Sequence, residues 1–487
     1  MSSDAPSTSD PTRSGLDRFF KITERGSTLA REVRGGLVTF FAMAYIIALN
    51  PLILGSVADV NGNFLGGGDE PNLSAIAATT ALVAGVLTIA MGLFANFPLA
   101  LAAGLGLNAF VAFGLATQMT WHDAMGLVVI EGLVILVLVL TGFRVAVFRA
   151  VPTHLKTAIS VGIGLFIALV GFVNAGFVKS TRDPSPPIGM GDGGQLTTWP
   201  VLVFCIGLVA VLVLYAKKVR GAILWTIVGT TILAIVVQQI VSLGATPDDP
   251  KGWNLNVPEF DGIVDLPDFS LLGQFSLLGS WQAVGIVSVL LFVFTLMLAD
   301  FFDTMGTMVA VGAEGGLLDE NGNPPKTAQI LIVDSVAAAA GGAGAVSSNT
   351  SYIESASGVG EGARTGLASV VTGVCFLLAT FLAPLVNIIP NEAAAPALVL
   401  VGFLMMAQVK HIPWDDLEIA IPAFLTIALM PFTYSIATGI GAGFLAYVII
   451  KTARGKARQV HPLLWAVAAL FVLYFAIYPV ETLLGVS

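Results

Sequence analysis

The sequence predicts an all-α polytopic membrane protein with about 14 transmembrane segments in two inverted repeats of seven. The composition is 56% hydrophobic and only 11% charged over 487 residues, whereas a soluble protein carries about 25% charged residues. The apolar runs have the length of membrane helices, roughly 20 residues, and not that of alternating barrel strands. Two glycine-rich runs interrupt the pattern at matching places, which predicts short strands and half-helices in spans 3 and 10.

The spans follow one another along most of the chain. They are predicted at 36–54, 74–97, 99–118, 124–143, 157–178, 199–216, 221–243, 281–312, 327–345, 346–360, 366–389, 393–409, 417–434 and 436–450. Lys and Arg concentrate in alternate loops, so the positive-inside rule predicts a cytoplasmic N-terminus. We therefore expect a multi-pass protein of the cell (plasma) membrane. A further apolar run, 463–478, could span the bilayer or lie at its interface.

Two stretches indicate an internal repeat. Residues 150–172 and 388–409 each contain a proline, a polar turn and then a span. Seven spans separate them, and an odd number of spans inverts the second copy. Inverted repeats are the architecture of many secondary transporters.

The two interrupted spans are unusual for lipid-facing helices. Pro98–Gly114 and Gly341–Gly360 are rich in glycine and small residues. Irregular backbone at membrane depth is tolerated only where it is buried or lines a cavity. Close helix packing through small residues is the alternative explanation. It accounts for the glycines but not for Asn108 and Glu354.

Acidic residues inside the spans are the next signal. The run Trp281–Gly312 carries Asp300 and Asp303, and a carboxylate at membrane depth costs about 2.5–3.5 kcal/mol on insertion scales. Three residues apart, the two acids are expected to share one helix face that looks into the protein or a wet cavity. Capping of a broken helix is the alternative. For Glu131 and Asp334, in spans 4 and 9, hydrogen bonding between helices is the favoured role.

Four motifs carry a resemblance over residues 17–480: MAYIIALNP (43–51), GLGLNAFVAFG (104–114), LADFFDTMGT (298–307) and NTSYIESASG (349–358). Together they resemble nucleobase–cation symporter family 2, and its AzgA-like branch of adenine, guanine and hypoxanthine permeases in particular. The resemblance implies a core domain and a gate domain, each made of two separate segments of the chain, with strands of spans 3 and 10 meeting at the substrate.

The chain is predicted to have seven regions, of which the resemblance implies the core and gate segments. They are a disordered tail (1–15), the first core segment (16–143, spans 1–4), the first gate segment (144–245, spans 5–7), an extracellular loop (246–280), the second core segment (281–389, spans 8–11), the second gate segment (390–453, spans 12–14) and a basic linker with an extra hydrophobic helix (454–487).

The resemblance also implies the site. Asn108, Asp300 and Glu354 are predicted to bind the purine, with Asp303 as the partner of Asp300 in proton coupling and Glu354 as a further coupling acid. A carboxylate can accept two adjacent N–H groups of a ring edge. Phe301, Phe302, Phe110 or Tyr352 could stack on the ring, with plain packing as the alternative. Ser348 and Thr350 belong to the span 10 strand, whose backbone amides would meet ring acceptors.

These observations predict a secondary active transporter that imports purine nucleobases by proton symport. An anion transporter of the same inverted-repeat architecture is the alternative, disfavoured because midplane acids repel anions. An intramembrane enzyme is a third class, which leaves the half-helices unexplained. A nucleic-acid partner is not predicted, since no basic face is present. No metal site is predicted, because the four histidines lie near span ends, and no cofactor is predicted. The sequence leaves the oligomeric state open, with a homodimer among the expectations.

Overall fold

The computed structural model describes residues 15–142, 151–181, 187–192, 194–246, 249, 251–259, 262–320 and 322–484, without the side chains of 302 and 477–484. The predicted disordered tail therefore lies outside the described residues, apart from Gly15. So does the predicted boundary between core and gate at 143/144. Within the described ranges, ten helices are long and apolar enough to cross a membrane.

All 14 predicted spans have counterparts. They are Leu29–Leu54, Leu73–Ala95, 101–116, Trp121–Leu140, Thr153–Asn174, Trp199–Ala216, Ala222–Val241, Gly285–Glu314, Thr327–Ala343, 349–360, Gly366–Ile388, Asn391–His411, Leu417–Phe432 and Ile436–Ala453. Short helices at Gly15–Phe20 and Gly279–Ala283 precede spans 1 and 8. The predicted fold class is confirmed.

Span 1 begins earlier than the predicted residue 36. Thr28 caps it by accepting a hydrogen bond from the backbone N–H of Arg31, as hydroxyl side chains do at helix starts. The first turns contain charged residues, which the sequence pattern placed in the flanking segment. Glu32 is nevertheless buried, because its carboxylate accepts from the backbone N–H groups of Arg364 (2.8 Å) and Thr365 (3.2 Å).

Spans 3 and 10 are broken as predicted. Strand β1 (Leu101–Ala103) leads into the half-helix Leu105–Ala116 of span 3. Three β-strands follow it in chain order: β2 (Val178–Ser180) and β3 (Ile188–Met190), which form an unpredicted hairpin between spans 5 and 6, and β4 (Asn349–Ser351). Strand β4 leads into the half-helix Ser355–Gly360 of span 10. Strands β1 and β4 pair antiparallel, with Ala102 opposite Thr350, and both strands are fully buried.

Helix packing repeats when each span is exchanged with the one seven places away. The contact between spans 4 and 9 corresponds to that between spans 11 and 2. In the same way, the contact between spans 1 and 11 corresponds to that between spans 8 and 4, and the contact between spans 5 and 13 to that between spans 12 and 6. Seven is odd, so the second copy is inverted. Each of these pairs lies within one of two sets, spans 1–4 with 8–11, or spans 5–7 with 12–14.

The C-terminal apolar run forms a helix, Pro462–Leu484, beyond the two repeats. It packs on spans 8 and 14. Phe471 is fully buried against Phe444 of span 14, and the ring of Tyr474 lies 6.1 Å from that of Phe292 in span 8. This helix therefore contacts one span from each of the two sets.

Candidate functional site

The crossing of β1 and β4 brings acidic residues from two spans together. Glu354 follows β4 and stands at the start of the short helix of span 10. Its carboxylate accepts a hydrogen bond from the Tyr45 hydroxyl of span 1. Span 8, which carries Asp303, packs against the short helix that Glu354 begins. The structure thus joins three residues that are far apart in sequence.

Both acids have accessible surface, and we interpret the surface between them as one crevice. Asp303 retains accessible surface although protein atoms surround it, and Glu354 is partly exposed. Asp303, Gly306, Ala310 and Ala313 are the exposed residues of one helix face along the last turns of span 8, at helical spacings of three and four. By contrast, no residue from 291 to 300 is exposed. The crevice therefore opens toward the end of the bundle where span 1 begins.

The opposite end is covered by aromatic side chains. Phe113 of span 3 contacts Phe166 of span 5 (ring centroids 6.1 Å) and Tyr434, which lies just after span 13 (5.6 Å). Phe166 and Tyr434 also contact each other, at 5.1 Å. These edge-to-face contacts join one set of spans to the other. The three rings therefore join the two sets of spans at the end of the bundle opposite the exposed last turns of span 8.

Asp300 and Asp303 lie three residues apart on one helix, but their exposure differs. Asp300 is fully buried, whereas Asp303 is exposed to the crevice. Residues three apart differ by about 60° around a helix axis, and here the edge of the crevice falls between the two. Phe301 is also buried, at 6% exposure.

Two predicted site residues, Ser348 just before β4 and Thr350 within it, direct their side chains behind the strand. The Ser348 hydroxyl donates to Glu131 Oε2 (3.2 Å), and the Thr350 hydroxyl is hydrogen-bonded to that of Thr304 (3.0 Å). Their hydroxyls therefore contact spans 4 and 8. The roles predicted for their backbone amides stay predictions.

Asn108 is a candidate for contacting a ligand. It is fully buried in the half-helix of span 3, and neither amide atom has a hydrogen-bond partner among the described residues. The same holds for Asn349 of β4. Buried amides without partners cost about 1–3 kcal/mol each, so both are available to a polar ligand or water.

Sequence reasoning missed Tyr45. It lies within the quoted segment 43–51 and is 1% exposed. A buried tyrosine usually has a hydrogen-bond partner for its hydroxyl. A tyrosine inside an apolar span therefore indicated a polar partner nearby, and this signal was available in the sequence. Asn349 was visible as a polar residue in span 10 but was not assigned to the site.

Comparisons with known proteins place this arrangement among permeases. A family model described as "Permease family" (Xan_ur_permease) matches residues 30–442. The guanine/hypoxanthine permease PbuG of Bacillus subtilis is 39% identical over 469 residues, covering 94% of this chain and 99% of that protein. The adenine permease AdeP of Escherichia coli is 38% identical over 462 residues, covering 94% and 95%.

Solved structures share the fold. The transmembrane domain of the cyanobacterial bicarbonate transporter BicA is similar, with a TM-score of 0.59, 14% identity and coverage of 84% of this chain and 97% of that one. Murine Slc26a9, an anion transporter solved in the inward-facing state, has a TM-score of 0.59 and 11% identity, covering 92% and 74%. At these identities the likeness concerns the fold alone.

Proposed function

Because the chain belongs to the Xan_ur_permease family, within nucleobase–cation symporter family 2, we propose that it imports adenine, guanine or hypoxanthine by proton symport. It is a multi-pass membrane permease and not an enzyme. The observation that carries the proposal is the pair Asp303 and Glu354, which face one crevice beside the strand crossing.

The pair suits the edge of a purine. The ring carries N–H donors and nitrogen acceptors in one plane, and a carboxylate accepts two adjacent donors in such a plane. Tyr45 fixes one oxygen of Glu354, which leaves the remainder of the carboxylate for substrate. The accessible position of Asp303 favours it over Asp300 as the substrate-side acid. Asn108 would supply an amide to the other ring atoms.

Proton coupling follows from the same two acids. Two carboxylates facing one crevice repel each other when both are ionised, so one carries a proton during some steps of the cycle. Asp300, buried one turn away, is the third candidate. A proton that enters with a neutral base contributes about 2.3 kcal/mol per 100 mV of membrane potential.

Alternating access would use the two sets of spans as a core domain (1–4 and 8–11) and a gate domain (5–7 and 12–14). The contact of Phe113 with Phe166 and Tyr434 then closes the extracellular side, and the crevice along span 8 opens to the cytoplasm. This assignment requires a cytoplasmic N-terminus in the plasma membrane, which the distribution of Lys and Arg supports. Association into a homodimer belongs to the same proposal.

The alternative function is anion transport, because the fold resembles those of a bicarbonate transporter and an anion transporter. The charge of the site opposes it. Asp303 and Glu354 would both have to be neutral before an anion entered, because acids in a weakly solvated crevice repel anions. Full-length relatives at 38–39% identity are named for purine transport.

Binding of labelled hypoxanthine to the purified protein tests the substrate class. Unlabelled adenine or guanine should compete and bicarbonate should not. Glu354→Gln replaces an acceptor oxygen with an NH₂ donor and should lose binding. Glu320→Gln, at an exposed residue after span 8, is the matched control and should retain it. Competition by bicarbonate alone, or normal binding by Glu354→Gln, would contradict the proposal.

A further inference from the structure

Behind strand β4 lies a group of acids without basic residues around it. Glu131 of span 4 and Asp334 of span 9 are fully buried, and the two helices that carry them pack directly against each other. Thr304 of span 8, the neighbour of Asp303 in sequence, donates a hydrogen bond to Asp334, and the other acids of these spans are Asp300 and Glu354. The sequence contains no Lys, Arg or His from 124 to 142, 252 to 325 or 327 to 363. His122, Asp123, Glu314 and Lys326 stand only at the ends of these spans.

Both acids are tied to β4 through hydroxyl groups. Asp334 Oδ1 accepts from the hydroxyls of Ser351 (2.9 Å) and Thr304 (2.7 Å). Glu131 Oε2 accepts from Ser348. Glu131 Oε1 is buried and has no hydrogen-bond partner among the described residues. That oxygen needs either a proton to donate or a donor to accept from.

The first repeat performs the equivalent structural task without acids. Exchange by seven spans relates spans 2 and 11 to spans 9 and 4. Thr88 of span 2 bonds both the N–H (2.9 Å) and the C=O (3.0 Å) of Leu101 in β1. Ser369 of span 11 does the same for Leu99, at 2.9 and 3.0 Å. Neutral hydroxyls therefore suffice to hold a strand at this depth. Holding the strand does not explain why the second repeat has two buried carboxyl groups there.

We propose that Glu131 and Asp334 form a proton-binding site behind strand β4, distinct from Asp303 and Glu354, and that purine binding requires this site to be protonated. Only the requirement for purine binding rests on the proposed function. Two adjacent ionised carboxylates without a cation would be costly at membrane depth. A proton on the pair removes the repulsion between the two carboxylates, so β4 stays against spans 4 and 9. Loss of the proton pushes apart the helices that position β4, and with it Glu354.

Infrared difference spectroscopy tests the existence of the proton-binding site without any purine. Purified protein in lipid is compared between neutral and alkaline buffer, and the C=O stretch of a protonated carboxyl group is followed. We expect the wild type to lose a band in alkali that Glu131→Gln lacks throughout, while Asp303→Asn retains it. The same band in wild type and Glu131→Gln would overturn the proposal.

A second variant keeps the test decisive if Glu131→Gln fails to fold. Ser348→Ala removes the hydroxyl that Glu131 accepts from, so the band should shift in frequency. A band at unchanged frequency would overturn the assignment to Glu131.

Hypoxanthine affinity as a function of pH tests the requirement for protonation. If binding needs one proton on the pair, wild-type affinity falls about tenfold per pH unit once that proton is lost. Glu131→Gln, which mimics the protonated form, should lose less affinity over the same range. Hypoxanthine itself has the same protonation state for both proteins at each pH, so its titration cancels in the ratio of the two affinities. Parallel curves would overturn the requirement, whereas absence of wild-type binding at every pH would contradict the purine assignment and leave the infrared test intact.

Discussion

Removing the Tyr45 hydroxyl tests whether Glu354 is held for substrate binding. Tyr45→Phe keeps the buried ring, at 1% exposure, and deletes only the donor to Glu354. A hydrogen bond to a charged group contributes about 1.5–3 kcal/mol. Glu354 is partly exposed, so water offsets some of the loss and the lower end applies. About 1.4 kcal/mol corresponds to a tenfold change, and hypoxanthine affinity should fall about tenfold.

The assay is equilibrium binding of labelled hypoxanthine to purified protein, with thermal unfolding measured beside it. Tyr434→Phe is the matched control, because it makes the same chemical change in the aromatic cluster that covers the opposite end. It should bind normally. Wild-type affinity in Tyr45→Phe, with unchanged stability, would refute the role given to the Tyr45–Glu354 contact.

Three further predictions concern binding, coupling and closure. Asn108→Ala should weaken hypoxanthine uptake more than Asn174→Ala at the end of span 5, and equal effects would return Asn108 to a packing role. Asp303→Asn should impair binding itself, whereas Asp300→Asn should retain counterflow and lose accumulation driven by a pH gradient; the reverse result would restore the order inferred from sequence. Phe113→Ala removes two aromatic contacts of about 0.5–1.5 kcal/mol each, so distances between spin labels on spans 3 and 5 should lengthen, and an unchanged distribution would contradict its role in closure.

The spans and their two interruptions could be predicted because hydropathy and glycine content are local properties of the sequence. The start of span 1 could not. Arg31 and Glu32 resemble a polar flank until Glu32 meets the backbone of Arg364 and Thr365, more than 300 residues away. Burial of a charge by a distant partner leaves no trace in the local pattern.

The acids of the candidate site were visible in the sequence as a group, but their arrangement was not available from spacing. Helical spacing relates Asp300 to Asp303, yet it does not say where the crevice edge falls. The Tyr45 contact to Glu354 joins residues 309 positions apart. Ser348 and Thr350 were visible as polar residues in a broken span. Their orientation toward Glu131 and Thr304 follows from how β4 lies between spans, which only the tertiary structure determines.

Gradient-driven uptake tests the central claim most directly. Proteoliposomes with an alkaline interior should concentrate labelled hypoxanthine above the external level, and a protonophore should abolish the accumulation. Glu354→Gln should show neither accumulation nor counterflow, while Glu320→Gln should match the wild type. Accumulation that persists with the protonophore, or that follows a sodium gradient alone, would contradict proton-coupled purine transport.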